Sequence, residues 1–253
     1  MRLMLPFKTE WEKDCSLIKA FQIENLAAPI ISVVGAGGKT TTMERLAKEY
    51  KKLEKKVIVT TTTKMFRPVQ DSWYGGESME AVDKHLEKDA VLWIGLPFEE
   101  EKMMSPKISF LTQLMQKNIP LLIEADGAKR LPFKVPNDTE PVIIEGTQFV
   151  VGILGMDALG RPLKEVCFRY DLGALFLHKS EEEFVTIEDY IEVITSNKAL
   201  RKGVTEKMKY LVILNKVDDL EKEKQAILIR DLLKQQGIEQ VFLTSYGAIE
   251  LQN

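Results

Sequence analysis

The sequence has few side chains that form disulfides or bind soft metal ions. Of its 253 residues, two are cysteine, Cys15 and Cys167, and two are histidine, His85 and His178. The cysteines lie far apart and not in a Cys-x-x-Cys spacing, so neither a disulfide framework nor a structural zinc site is expected. Cysteines of this kind fit a reducing compartment, and we expect a cytoplasmic location.

Long apolar runs and a dominant charge sign are also absent. No run approaches the roughly 18 apolar residues that a membrane span needs, and Pro6 interrupts the short apolar stretch near the N-terminus. The 35 basic and 38 acidic residues give a net charge of −3, which is not the basic surface typical of nucleic-acid binding. We therefore expect neither a membrane nor a nucleic acid as a partner.

The sequence does contain short apolar runs that alternate with longer amphipathic segments. The runs are fully apolar rather than alternating, which is typical of a parallel sheet covered on both faces. The predicted strands are residues 30–34, 57–60, 90–94, 120–124, 149–154, 210–214 and 241–244. We predict an α/β fold with a doubly wound, mostly parallel sheet in three layers. Residues 1–253 are predicted as a single domain, with 1–28 as a helical lead-in and 63–89 and 131–147 as loop insertions.

A glycine-rich turn follows the first of these strands and opens a helix. Glycines let the backbone approach a phosphate without a Cβ clash, and a helix N-terminus offers N–H groups to an anion. The predicted nucleotide-binding residues are Gly35, Ala36, Gly37, Gly38, Lys39, Thr40 and Thr41. Lys39 would contact the β- and γ-phosphates and act catalytically, and Thr40 would bind Mg²⁺. Val33 stands where the longer Walker A pattern has its first glycine, so the loop is similar to the shorter one of Mur-type peptide ligases.

An apolar strand that ends in two acids suggests a second part of the same site. Glu124 and Asp126 follow the predicted strand 120–124, and carboxylate oxygen is a suitable ligand for Mg²⁺. Either residue fits the metal role. We favour Asp126 for the metal and Glu124 for polarising a water, and we include both among the catalytic residues.

Other polar residues near these strand ends are candidates for the same chemistry. Lys129, Arg130 and Lys134 would neutralise a transferred phosphoryl group or bind an anionic substrate, and Lys129 is the catalytic candidate among them. Charges in an ordinary loop explain them equally well. Thr61 and Thr62 would reach Mg²⁺ or the γ-phosphate, with Thr61 as the metal ligand, although β-propensity also explains a threonine run.

The segment Asn-Lys-x-Asp after a late strand predicts a purine-binding site. In GTPases this motif recognises guanine, because the carboxylate accepts from two N–H donors on one edge of the base. The residues here are Asn215, Lys216 and Asp218, and Ser245 follows the next strand, where GTPases have a short loop that supports the base. We therefore expect Mg²⁺ and GTP or ATP as cofactors, with GTP favoured.

Taken together, these segments resemble the YqeC family, which is described as selenium-dependent hydroxylase accessory proteins. The matching segments are residues 34–41, 59–65, 124–128, 134–136, 140–142, 155–163 and 214–218. The resemblance implies a fold like that of P-loop NTPases and a role in maturing selenium-dependent molybdenum hydroxylases, so that such an enzyme or its cofactor is an implied partner. It also marks Asp157 for contact with a substrate or partner, although a tight turn explains this aspartate equally well.

Three functions remain open from the sequence. The first is a Mg²⁺-dependent nucleotide hydrolase that serves as an accessory factor. The second is an ATP-dependent kinase or Mur-like ligase that activates a small anionic substrate. The third is a nucleotide-sensing module with negligible turnover.

Overall fold

A computed structural model describes residues 1–13, 15–68 and 72–246. The strands are β1 (Arg2–Met4), β2 (Glu12–Lys13), β3 (Ile30–Gly35), β4 (Val57–Thr61), β5 (Lys64–Phe66), β6 (Ser72–Tyr74), β7 (Val91–Ile94), β8 (Leu96–Phe98), β9 (Lys102–Met104), β10 (Leu121–Glu124), β11 (Phe133–Lys134), β12 (Phe149–Gly155), β13 (Cys167–Phe168), β14 (Lys209–Asn215) and β15 (Val241–Ser245). The helices are α1 (Leu17–Ala20), α2 (Lys39–Lys52), α3 (Met79–Lys88), α4 (Ile108–Met115), α5 (Leu163–Val166), α6 (Tyr170–Leu177), α7 (Ile187–Thr195) and α8 (Leu220–Gln235).

The centre of the fold is a large sheet in the order β2-β1-β15-β14-β12-β3-β10-β4-β7-β6. From β15 to β6 every neighbouring pair is parallel, whereas β1 and β2 join one edge in antiparallel pairing. The sheet places β3 near its middle, with β12 on one side and β10 on the other. The carboxyl ends of these parallel strands therefore meet at one edge, where ligands bind in open α/β sheets.

Helices cover both faces of this sheet, as the uniformly apolar strands predict. On β3, Val33 packs in the cluster that holds α1 and α2, and Val34 packs in the cluster that holds α7 and α8. Helices α3 and α4 pack against β4, β7 and β10 in a third cluster. The α/β class and the mostly parallel sheet are confirmed.

Two predictions about the remaining segments are wrong. Residues 1–28 are not a helical lead-in: β1 and β2 lie in this segment, and its helix α1 is four residues long. Leu3 and Met4 are fully buried because β1 pairs with β15 and thereby covers the sheet edge. The segment 63–89 is not only loop, because α3 begins there after Ser78, whose side chain accepts a hydrogen bond from the N–H of Ala81.

Two small sheets stand outside the central one. Strands β5, β9 and β8 form an antiparallel sheet beside the carboxyl end of β4, and β11 pairs in parallel with β13. Apart from β11, the segment 131–147 contains no helix or strand. Among the described residues, no helix is both long and apolar enough to cross a membrane.

Candidate functional site

The glycine-rich turn connects β3 directly to α2, as predicted. Gly37 and Gly38 have φ angles of 76° and 141°, which side chains rarely tolerate. A Cβ on Gly38 would lie 2.1 Å from Asn215 Nδ2, and one on Gly37 would lie 2.4 Å from the nitrogen of Gly155. These glycines are therefore required by close backbone approach as well as by conformation.

The start of α2 leaves backbone donors available to an anion. Ala36 and Gly37 already donate their N–H groups to the carbonyls of Ile153 and Leu131, at 2.8 and 3.0 Å. Helix α2 begins at Lys39, however, and its N-cap Gly38 supplies no side-chain cap. The N–H groups of the first turn, including those of Thr40 and Thr41, have no intrahelical acceptor and are suited to bind a phosphate.

The Lys39 side chain is buried at this turn and keeps its charge. Its Nζ donates to the carbonyl of Gly35 at 2.6 Å and lies 3.2 Å from Asp126 Oδ1. Burial lowers the pKa of Lys39, but the carboxylates of Asp126 and Glu124 raise it above its ordinary value. A permanently charged ammonium group thus lies beside the first turn of α2.

Asp126 forms the centre of a buried ionic cluster. Both of its carboxylate oxygens accept from the N–H of Gly35, and Oδ2 lies 2.9 Å from Lys134 Nζ. With Lys39 on the other oxygen, the carboxylate has two cations and a backbone donor. Asp126 therefore stabilises the phosphate loop through its contacts with Gly35 and Lys39, and this geometry does not favour it as the Mg²⁺ ligand.

Lys134, predicted as a loop cation available to a substrate, belongs to the same cluster. Its side chain is 1% exposed, donates to the carbonyl of Gly127 at 2.6 Å and lies 3.2 Å from Glu140 Oε2. Arg169 also donates to Glu140, at 2.7 Å. Burial raises the pKa of Glu140, but the Arg169 hydrogen bond and the Lys134 charge outweigh this effect and hold the pKa below its usual range. The prediction that Lys134 contacts a substrate is wrong because its donors are used inside the fold.

Glu124 is the carboxylate that lies beside the metal-binding candidate Thr40. The Thr40 hydroxyl donates to Glu124 Oε2 at 3.2 Å, and both residues line the same cavity. Glu124 is 6% exposed, and burial, the largest effect on it, raises its pKa. Within the described ranges no cation lies within ion-pair distance of it, so this carboxylate is available to a metal ion.

A Mg²⁺ ion fits these two oxygens. Proteins usually hold Mg²⁺ with one or two oxygen ligands, while phosphate oxygens and water complete the shell. The part of the chain that the structure describes has no group of three or more acidic, histidine or cysteine side chains arranged for a metal. Thr40 and Glu124 would therefore hold Mg²⁺ together with a nucleotide rather than alone.

The threonines after β4 divide between the protein interior and the cavity. Thr61 is fully buried, and its hydroxyl donates to the carbonyl of Glu124 at 2.9 Å. It is not a cavity-lining residue, so the geometry does not favour the predicted contact of Thr61 with Mg²⁺. Thr62 and Thr63 line the cavity, and the Thr62 hydroxyl donates to the carbonyl of Val142.

The cavity itself has a volume of about 910 Å³ and extends from the phosphate loop to the small β5-β9-β8 sheet. Lys129 and Arg130 line it next to the loop, with left-handed φ angles of 46° and 64°. Lys129 Nζ lies 5.6 Å from the centre of the Phe168 ring, and the Arg130 guanidinium lies 4.2 Å from that of Phe66. Sequence reasoning missed these rings, because nothing in the pattern of residues 64–66 or 167–168 places them beside a distant loop.

The predicted base-reading motif lies against the phosphate loop. Asn215 Nδ2 donates to the carbonyl of Gly37 at 2.7 Å, and the Thr244 hydroxyl donates to Asn215 Oδ1 at 2.8 Å. Ser245 donates to Asp218 Oδ1 at 2.6 Å, so the structure pairs Asp218 with Ser245, whereas Asn215 is the member of the motif that contacts this loop. Gly247, which also belongs to the predicted supporting loop, lies outside the described residues.

Lys216 is oriented by Asp157. Its Nζ lies 2.7 Å from Asp157 Oδ2, and Lys216 has a left-handed φ of 61°. The other oxygen of Asp157 is buried without a hydrogen-bond partner among the described residues. Asp157 lies in a short 3₁₀ turn after β12, so the tight turn and an ion pair with Lys216 are both present. Thr244 thus holds Asn215, and Asp157 holds Lys216, through side-chain contacts that the four-residue pattern alone does not reveal.

Comparisons with known proteins identify relatives of this chain. A family model described as YqeC protein matches residues 31–171. The uncharacterized protein YqeC of Escherichia coli (strain K12) is 24% identical over 221 residues, covering 85% of this chain and 86% of that protein. No solved structure matches. The family match spans β3, the phosphate loop, Glu124, Asp126 and the cavity-lining Lys129 and Arg130, and we conclude that the chain belongs to the YqeC family.

Proposed function

We propose that this protein is a Mg²⁺-dependent purine nucleoside triphosphate-binding protein that hydrolyses its nucleotide and prefers GTP to ATP. The observation that carries the proposal is the Asn215 side chain, which joins the phosphate loop at Gly37 to Thr244 in the strand that ends at Ser245. A phosphate-binding turn and a carboxylate for the base are thereby held at one end of the sheet.

In this proposal each residue has a distinct task. The first turn of α2 and Lys39 bind the phosphates, and Thr40 and Glu124 hold Mg²⁺, which would neutralise charge on the terminal phosphates. Asp126 keeps Lys39 in position, and Asp218 accepts from the N–H donors of guanine. Lys129 would stabilise negative charge near the terminal phosphate.

The biological role that we propose is that of an accessory factor in the maturation of selenium-dependent molybdenum hydroxylases. Support for this role comes only from the resemblance to the YqeC family. It makes a molybdenum hydroxylase or its cofactor the expected partner, and a purified hydroxylase that accelerates nucleotide turnover would support it.

A kinase or Mur-like ligase that uses ATP and a small anionic substrate is the second candidate. The observation that favours it is the size of the cavity, which extends well beyond the phosphate loop and has cations on its wall. This candidate predicts turnover only after an acceptor is added, whereas the hydrolase turns over with water alone.

Calorimetric titration with GTP and ATP in the presence of Mg²⁺ tests the proposal. We expect tighter binding of GTP. The variant Asp218→Asn should lose this preference and gain affinity for xanthosine triphosphate, because xanthine has a carbonyl where guanine has an amino group and an amide can donate to it.

The matched control is Asp231→Asn, which removes an exposed carboxylate of α8 and should leave all three affinities unchanged. A wild-type protein that prefers ATP would exclude the base-reading role of Asp218. No binding of either nucleotide would exclude the proposal as a whole.

A further inference from the structure

The cavity extends away from the side on which the proposed guanine contacts lie. In the central sheet, β14 lies two strands from β3 on one side, and β4 lies two strands from β3 on the other. Asp218 follows β14, and Ser245 ends β15 farther along the same side. The far wall of the cavity comes from residues after β4 and from the small β5-β9-β8 sheet. A nucleotide with its phosphates on the loop and its base at Asp218 therefore leaves the β4 side of the cavity available.

This side of the cavity has unneutralised positive charge. The cations that line it without an ion pair in the described part of the chain are Lys64, Arg67, Lys129 and Arg130. Lys102, by contrast, lies 2.5 Å from Glu99 and is neutralised. An incoming anion would not have to displace a carboxylate of the described residues from any of the four.

Aromatic rings, rather than acids, orient these cations. Lys64 Nζ lies 3.8 Å from the centre of the Phe98 ring, and the Arg130 guanidinium lies 4.2 Å from that of Phe66. A ring face attracts a cation through its quadrupole but carries no net charge, so the full positive charge remains available to a ligand. The same rings give the cavity a flat apolar wall beside its cations.

The backbone beside the phosphate loop is fixed to present two of these cations. Lys129 and Arg130 are consecutive residues with left-handed φ angles, a conformation that residues other than glycine rarely adopt and that is concentrated at functional sites. The loop is tied down at its end, because Leu131 donates to the carbonyl of Ala128 at 2.9 Å and accepts from the N–H of Gly37 at 3.0 Å. A movement of the phosphate loop would therefore also shift these two cations.

We propose that the β4 side of the cavity is the binding site of a second ligand, a small organic anion with a phosphate or carboxylate group on a planar unsaturated ring. Lys64, Lys129 and Arg130 would bind the anionic group, and Phe66 and Phe98 would pack against the ring. The proposal rests on the proposed function for one element only, namely that the neighbouring ligand on the phosphate loop is a nucleotide.

Fluorescence titration with 1-naphthyl phosphate tests this site. The probe combines a phosphate with a flat ring, and 1-naphthol and 1-naphthoate separate the effects of the ring and of the anion type. We expect 1-naphthyl phosphate or 1-naphthoate to bind the protein saturated with Mg²⁺ and GTP, and 1-naphthol to bind far more weakly. The anion that binds more tightly identifies the group, phosphate or carboxylate, for which the site is built.

Two variants locate the probe, and each has a matched control. Arg130→Gln and Lys64→Gln should each weaken the probe by roughly tenfold, the effect of losing a charge-assisted hydrogen bond, without changing the affinity for GTP. The controls are Arg201→Gln and Lys234→Gln, whose cations lie 6.0 and 5.2 Å from the rings of Tyr210 and Phe7 and do not line the cavity. All four positions are exposed, so these replacements should fold.

The outcomes separate this inference from the proposed function. Three results would overturn the second site. The affinity of the naphthyl anion could equal that of 1-naphthol, or it could be unchanged in both cavity variants. GTP could also displace the anion competitively. Competitive displacement would assign the cavity cations to the nucleotide itself. If GTP fails to bind while the naphthyl anion binds and the cavity variants weaken it, the proposed function is wrong and the anion site stands.

Discussion

Replacing Lys134 by methionine should destabilise the protein strongly, although the sequence places this lysine in an irregular segment. Its side chain is 1% exposed, and its ammonium group contacts Asp126, Glu140 and the carbonyl of Gly127 at 2.9, 3.2 and 2.6 Å. Methionine retains much of the apolar stem but removes every one of these contacts.

The size of the effect follows from what remains in the cluster. Removing one partner of a buried ion pair costs about 3–5 kcal/mol, because the other charge is left uncompensated. Asp126 still has Lys39, and Glu140 still has Arg169, so we expect the lower end, about 3 kcal/mol. For a chain of this length that corresponds to a decrease in Tm of about 6–12 °C.

Urea denaturation followed by circular dichroism, with thermal scans in parallel, measures this change. The matched control is Lys84→Met, which breaks an exposed pair with Glu80 and should change the free energy of unfolding by about 1 kcal/mol or less. A Tm for Lys134→Met within about 1 °C of the wild type would refute the reasoning, because the cluster would then contribute no net stability.

Three further changes test other parts of the site. Gly38→Ala should abolish nucleotide binding and cost at least about 1–3 kcal/mol of folding free energy, because its Cβ would meet Asn215. The control is Gly237→Ala, where φ is 81° and the space around the residue is open, so that urea denaturation measures backbone strain alone. Glu124→Gln should leave Tm unchanged or higher, since burial raises the pKa of this carboxyl and disfavours its charge, while calorimetry should show Mg²⁺-dependent nucleotide affinity reduced by roughly tenfold or more. Burial raises the pKa of Glu140, but the neighbouring cations hold it below its usual range, so the ionised carboxylate stabilises the fold fully above the pKa of the unfolded chain and loses this effect as the pH falls through the lower folded pKa. Urea midpoints measured from about pH 6 to 3 should therefore fall less steeply in Glu140→Gln than in the wild type. Parallel curves would contradict this assignment.

The elements predicted correctly are those whose signals are local. The turn from Gly35 to Lys39 combines a β-branched run, glycines and a helix start within a few residues, and each of these has a direct physical meaning. The central parallel sheet follows from strands that are apolar on both faces.

The predictions that failed depend on contacts between distant segments. Lys134 resembles a solvated loop cation in the sequence, and it is buried because β11 pairs with β13, more than 30 positions later. β1 joins the central sheet by pairing with β15, more than 230 positions later. The contacts also do not favour the assignment of Asp126 to the metal and Glu124 to a water. β10 ends at Glu124, which accepts from Thr40, whereas Asp126 lies beside Lys134.

The contact between Asn215 and Gly37 also determines when the site is completed during synthesis. The phosphate loop leaves the ribosome 178 residues before the side chain that fixes it, and Thr244, which orients that side chain, follows later still. At typical translation rates this interval is about 9–36 s. Under the proposed function, the segment that forms the phosphate loop is therefore synthesised well before the residues that would distinguish guanine from adenine.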